Sequence, residues 1–180
     1  MNAECLLWRV TSGDLYLRTR LSLTLSGSTN STLKMTPAIP VPTESDWRSE
    51  PWCLDAEYAY KMLKGKTYDE AFELFKDHAI GRQEDVMFMP NACFPFFFNV
   101  YIDYLNSPDA AEDSDAASCF FSLVDFKCPE IKCLDKWIIE KTVETIKHLS
   151  KNQSFYDADI DIYGSFPERE TKTLKNLGAA

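Results

Sequence analysis

Glycine and histidine are scarce in this chain, which has 6 Gly and 2 His among its 180 residues. Few glycines argue against a glycine-rich loop that cradles phosphate through its backbone amides. The sequence has no P-loop, G-x-G-x-x-G, G-x-S-x-G or H-E-x-x-H motif. His78 and His148 lie on predicted helices next to charged neighbours, where a lone histidine is more often structural than a base. The sequence therefore carries no catalytic signature.

The cysteines form no recognisable metal site. There is no C-x-x-C, and Cys128 and Cys133 are separated by four residues, which together with two histidines argues against zinc. The number of cysteines, six, permits disulfides but does not require them. Cys93 and Cys119 stand next to phenylalanines, where a reduced thiol packs as a small hydrophobic group. We expect reduced thiols, no cofactor and a cytoplasmic location.

No long apolar run is present. A spanning helix needs roughly 20 apolar residues, and the richest run, 93–105, contains Asn99 and Asp103. Glu4 stands where a secretion signal has basic residues, and Arg9 interrupts the short apolar stretch that follows. We therefore expect neither a membrane span nor a secretion signal.

Positive charge is also in deficit, with 19 Lys and Arg against 28 Asp and Glu and a net charge of −9. This balance opposes nucleic-acid binding, whose affinity comes from basic side chains that displace counterions from phosphates. An acidic protein instead suits a basic protein partner, because complementary charge speeds their encounter. The length and composition are those of one soluble domain.

The first residues differ from the rest of the chain. Leu15, Leu17, Leu21, Leu23 and Leu25 alternate, as in a β-strand. Two interpretations follow: an isolated strand at the edge of the domain, or a disordered extension ahead of a biological start at Met35. We favour the second, because a lone strand has no predicted partner. We divide the chain into an N-terminal extension, 1–44, and a helical domain, 45–178.

Helical signals dominate from Ser49 onward. Thr67-Tyr-Asp-Glu70 is a capping box that opens a helix continuing through His78, and Ser165-Phe-Pro-Glu168 is a second capping box. A helix is also predicted over about 130–150, with an apolar stripe of Ile139, Val143, Ile146 and Ser150. Pro95 fits in or near the first turn of the helix at 91–105. Residues 91–105 are apolar nearly all round, as in a helix at the centre of a domain; Asn99 and Asp103 form its polar strip. A lesser alternative makes Asp103 a buried functional acid. We predict a mainly α protein, a single compact domain of six to seven helices around the helix at about 91–105.

One segment matches part of a calcium-binding loop. Counting from Asp157, oxygen-bearing side chains occur at positions 1, 3, 5, 9 and 12, as in an EF-hand. Position 6, which needs glycine for a sharp turn, is Ile162. A short amphipathic helix with Tyr156, Ile160 and Tyr163 facing inward explains the segment better. The calcium alternative would use Asp157, Asp159, Asp161 and Glu168.

A second acidic segment precedes a predicted helix that is capped by Ser114 and runs to about Lys127. Its acids could bind a metal, dock a basic partner or simply face water, which is the usual role of a charge cluster. We retain them as candidate partner-binding residues: Asp109, Glu112, Asp113 and Asp115.

Three segments carry a family resemblance. Residues 87–105, the following Asp-Ser-Asp-Ala-Ala-Ser-Cys-Phe-Phe and residues 156–164 resemble small uncharacterised bacterial proteins. The resemblance covers about 45–177, implies a compact single domain and supplies no catalytic residue.

Three functional hypotheses follow. The first is a non-enzymatic, acidic bacterial binding protein, such as an immunity-type inhibitor that neutralises a basic toxin. The second is a hydrolase with spatially assembled acids, for which a pocket lined by Asp103, Asp125 or Asp157 would be evidence. The third is a calcium-linked helix–loop–helix at 157–168.

Overall fold

The structure is a computed structural model and describes residues 38–179. Helices form most of this part of the chain. Residues 40–180 form one compact unit, and the mainly α prediction is confirmed. The predicted strand at 15–25 and start at Met35 lie outside the described residues. The α-helices are α1 (Glu44–Trp47), α2 (Leu54–Leu63), α3 (Tyr68–Phe88), α4 (Phe94–Leu105), α5 (Ser114–Phe126), α6 (Cys128–Ile131), α7 (Lys136–Lys151), α8 (Ile160–Tyr163) and α9 (Phe166–Leu177). Two 3-10 turns lie at Pro108–Ala110 and Gln153–Tyr156.

The helix α4 supplies the centre of the core, as its apolar sequence predicts. Nine of its twelve residues are buried, and the rings of Phe75 on α3 and Phe120 on α5 pack on its aromatic side chains. Stacked and edge-to-face rings add about 0.5–1.5 kcal/mol per pair beyond the burial of their area. Pro95 lies in the first turn of α4, where its missing N–H costs little.

Local capping signals explain where several helices begin. The predicted capping box at Thr67 is confirmed: its Oγ1 accepts the N–H of Glu70, whose carboxylate accepts the N–H of Thr67. Ser165 likewise accepts the N–H of Glu168 at the start of α9. Such caps satisfy backbone donors that have no partner within the helix.

The helix α3 extends further than the sequence suggests and is kinked. The sequence predicts a helix from Thr67 to His78, whereas α3 continues to Phe88 across non-helical dihedral angles at His78 (φ −157°, ψ 72°). The His78 ring lies across the following turn, and a Cβ on Gly81 would come within 2.6 Å of it. Glycine at this position therefore permits the kink, which sets the direction of residues 82–88.

The region after α5 also differs from its predicted form. The sequence predicted one helix over about 130–150, but the chain forms the short α6, leaves the helical path after Lys132 and starts α7 at Lys136. The buried residues of α7 are shifted from the predicted stripe of Ile139, Val143, Ile146 and Ser150. They are Ile138, Thr142, Thr145, Ile146, Leu149 and Ser150.

Candidate protein-interaction face

The acidic segment before α5 is built into the fold by Asp113. Its carboxylate accepts the N–H of Ala116 at 3.0 Å and the hydroxyl of Tyr104 at 2.6 Å. Asp113, rather than the predicted Ser114, is thus the N-cap of α5. The Asp113 carboxylate is therefore occupied within the fold, whereas the acids around it are exposed.

Those neighbouring acids point to solvent. Asp109, Glu112 and Asp115 are exposed. Lys76 Nζ lies 3.1 Å from Asp109 Oδ1, but both side chains are more than one-third exposed, and such surface pairs contribute about 1 kcal/mol or less. Glu112 has a positive φ of 64°, uncommon for a non-glycine residue. Its N–H donates to the carbonyl oxygen of Phe155 at 3.0 Å.

The calcium candidate segment, residues 157–168, follows the 3-10 turn that ends at Tyr156. Gln153 fixes it with three hydrogen bonds. Its Nε2 donates to the carbonyl oxygens of Ala158 and Gly164, both at 2.9 Å, and its Oε1 accepts the N–H of Phe166 at 3.0 Å. Asp159 accepts the N–H of Asp161 at 2.8 Å and so caps α8. The side chain of Gln153 therefore determines the path of residues 157–166.

These two acidic segments, far apart in sequence, lie side by side. The Glu112–Phe155 hydrogen bond joins them at one point. At another, the hydroxyl of Tyr163 donates to Asp115 Oδ1 at 2.9 Å and accepts from the Ser114 hydroxyl at 2.9 Å. The acidic face, as we name it, consists of the exposed acids Asp109, Glu112, Asp115, Asp157, Asp159 and Asp161.

Exposed apolar side chains lie among these acids. Phe155, Ile160 and Ile162 are 39, 61 and 74 % exposed. The predicted inward orientation holds for Tyr156, which is buried and donates to the carbonyl oxygen of Leu105 at 2.6 Å, but it is wrong for Ile160. Apolar contact area ringed by polar groups is the usual anatomy of a protein interface.

All charged side chains in the two segments that form the acidic face are negative. Residues 104–126 and 152–168 contain no Lys, Arg or His. Lys76, on α3, pairs with one acid of this face, Asp109. A surface of one sign raises the rate of encounter with oppositely charged partners. The arrangement therefore suits a partner that combines basic and apolar side chains.

The calcium alternative gains no support from this geometry. The short helix α8 occupies the middle of the would-be loop, and Gln153 fixes the path of the segment through three hydrogen bonds. Within residues 38–179, no group of three or more His, Cys, Asp or Glu side chains is arranged to hold a metal. Asp157, Asp159, Asp161 and Glu168 are all exposed.

The three acids named for a hydrolase have different surroundings in the structure. Asp103 pairs with Lys141 at 2.5 Å and accepts a hydrogen bond from Tyr68. Asp125 accepts from Asn176 at 3.0 Å. Asp157 lies in the exposed turn after the second 3-10 segment.

A separate cleft of ≈ 230 Å³ opens between α2 and α3, lined by Asp55, Tyr58, Glu84 and Asp85. Sequence reasoning missed it, because its buried charges, Arg82 and Asp85, lie in a stretch of α3 with no clear apolar face.

Sequence reasoning also missed Gln153, for which the sequence holds no signal. Tyr163 was identified only as an inward-facing residue.

Comparison of the chain with known protein families, curated proteins and solved structures finds no match. Among residues 38–179, no helix has both the length and the apolar character that a bilayer span requires.

Proposed function

We propose that this chain is a non-enzymatic binding protein that neutralises a basic protein through its acidic face, in the manner of a bacterial immunity-type inhibitor. The observation that carries the proposal is the junction of two acidic segments around exposed apolar side chains. Asp115 and Tyr163, 48 residues apart, form one of its links. Charge on this face would set encounter rate and selectivity, while the apolar side chains would contribute burial.

We also propose a cytoplasmic location. Cys53, Cys93, Cys119 and Cys128 carry free thiols, which suits a reducing compartment. Burial raises the pKa of Cys93 and Cys119, which keeps these thiols protonated and unreactive. Their role in the fold is therefore that of small apolar side chains.

The test is capture of a partner from the native host, followed by calorimetric titration of the purified pair. A triple variant of the acidic face, Glu112→Gln/Asp159→Asn/Asp161→Asn, removes three charges, and Asn at 159 retains capping ability. At about 1 kcal/mol per lost interfacial charge, we expect the affinity to fall by about 100-fold.

The matched control is Asp77→Asn/Asp135→Asn/Glu144→Gln, which removes the same charge from exposed positions on α3, α7 and the turn before α7. It should bind the partner with wild-type affinity. Equal weakening by both variants would mean that net charge alone governs binding. Unchanged affinity in the face variant would refute the proposed site.

A further inference from the structure

Residues 158–164 form a loop whose two ends are held together at its base. The side-chain Nε2 of Gln153 donates to the carbonyl oxygens of both Ala158 and Gly164, each at 2.9 Å. The chain turns sharply into and out of the loop, because Asp157 and Gly164 have positive φ angles of 51° and 74°, in the left-handed region that most residues avoid. The short helix α8 forms the tip of this loop. Contacts at the base therefore hold the tip in one shape.

The tip of the loop is exposed on every side. No residue of α8 is buried, and its two isoleucines, Ile160 and Ile162, are 61 and 74 % exposed. Because a helix turns by about 100° per residue, side chains two residues apart point in nearly opposite directions. The two isoleucines therefore lie on opposite sides of α8.

This placement limits the shape of a partner that can cover both isoleucines. A flat surface contacts a helix along one side, so it would bury one isoleucine and leave the other in water. A groove that receives the whole turn would cover both and gain the free energy of burying two large apolar side chains. Because the loop is already held at its base by Gln153, little conformational freedom is lost when it enters such a groove.

The charge of the loop determines the chemistry of the groove. Asp159 and Asp161 are exposed beside the isoleucines, and residues 152–168 include no Lys, Arg or His. Carboxylates that are buried without a partner of opposite charge weaken binding strongly. A groove that receives this loop must therefore combine apolar walls with basic side chains.

We propose that residues 158–164 insert into a groove of the basic partner. Its apolar walls cover Ile160 and Ile162, and its basic side chains pair with Asp159 and Asp161. This inference rests on the function proposed for the acidic face, and it adds that the partner surface is concave.

The first measurement uses the chain alone. Ile160→Ala and Ile162→Ala each shorten a side chain that is exposed in the free protein, so the urea midpoint of unfolding should change little. Ile146→Ala, at a buried position on α7, is the control and should lower the midpoint clearly. If either α8 variant lowers the midpoint as far as Ile146→Ala does, that isoleucine supports the fold and the proposal is overturned.

The second measurement is a calorimetric titration of the full chain with the partner protein purified by capture. Ile160→Ala and Ile162→Ala should each raise the dissociation constant about tenfold, because a groove covers both side chains. The matched control is Leu54→Ala, which shortens an 83 % exposed side chain on α2, outside the acidic face. It should bind the partner like wild type.

The outcomes distinguish a failure of the groove from a failure of the acidic face. Weakening by only one isoleucine variant indicates a flat partner surface, and weakening by neither places the loop tip outside the interface. Either result overturns the groove, as does equal weakening by Leu54→Ala, while the response of the triple charge variant still decides the proposed function. If the wild-type chain captures no partner, the proposed function fails and this inference fails with it.

Discussion

Asp85 is an ionisable residue that lies buried on α3. Burial raises the pKa of its carboxyl group to about 6 and Glu84 adds to the rise, whereas Arg82 and His78 lower it. Because the folded-state pKa lies above the ordinary value of 3.8, the folded state binds this proton more tightly than the unfolded state. The contribution of Asp85 to stability therefore falls as the pH rises through about 6.

Replacing Arg82 with methionine tests how far the guanidinium offsets the cost of burying the Asp85 carboxylate. Arg82→Met leaves a buried carboxylate without its cation, which costs about 3–5 kcal/mol of unfolding free energy at about pH 8. The pKa of Asp85 should then rise further, so the deficit relative to wild type should shrink toward about pH 5, where the group becomes protonated. Urea unfolding at both pH values measures this difference.

The double variant Arg82→Met/Asp85→Leu is the control, because it removes both charges. Its loss of stability should be smaller than the sum of the two single losses. Because it lacks Asp85, its deficit relative to wild type should be larger at about pH 5 than at about pH 8, the opposite trend to that of Arg82→Met. A deficit of Arg82→Met that is the same at both pH values would show that Asp85 is not the group responsible.

Single residues also show where sequence patterns mislead. Thr142 and Thr145 are buried in α7 although they are polar. Their hydroxyls donate to the carbonyl oxygens of Ile138 and Lys141, four residues earlier, at 2.8 and 2.9 Å. A threonine can satisfy its hydroxyl within its own helix and so can be buried. A prediction that treats every threonine as exposed therefore misplaces the buried face of α7.

Among the helices, several starts could be predicted from local sequence, although the start of α7 and the N-cap of α5 could not. A cap or an N-terminal proline acts within four residues, so Thr67, Ser165 and Pro95 were found from sequence alone. The kink at His78 and the path of residues 157–166 depend on contacts that no local pattern records. Gln153 is the clearest example, since one of its partners is Gly164, eleven residues away.

The segment that presents half of the acidic face should therefore loosen when Gln153 is removed. Gln153→Ala loses three hydrogen bonds and should destabilise the protein by about 2 kcal/mol. Amide hydrogen exchange should accelerate in residues 157–166 and remain slow in α4.

Ser154→Ala, at an exposed position in the same 3-10 turn, is the matched control and should exchange like wild type. If Gln153→Ala accelerates exchange uniformly, or leaves 157–166 protected, Gln153 is not what holds this segment.

Over the whole molecule, the sequence predicts the class of fold and the sign of the charge. Apolar residues around the helix at 94–105 require a central position, and 28 acidic against 19 basic residues make a basic partner more favourable than a nucleic acid. The sequence does not show that residues 109–115 and 157–161 form one face. Their contacts, through Tyr163 and Phe155, join residues more than 40 positions apart.

The central claim is that this acidic face attracts a basic protein, and the association rate constant of the captured pair tests it most directly. Between about 0.1 and 1 M salt the Debye length falls from about 10 to 3 Å, so the wild-type rate constant should fall steeply. Glu112→Gln/Asp159→Asn/Asp161→Asn should flatten this dependence, whereas Asp77→Asn/Asp135→Asn/Glu144→Gln should retain it. A wild-type rate constant that does not change with salt would contradict the claim.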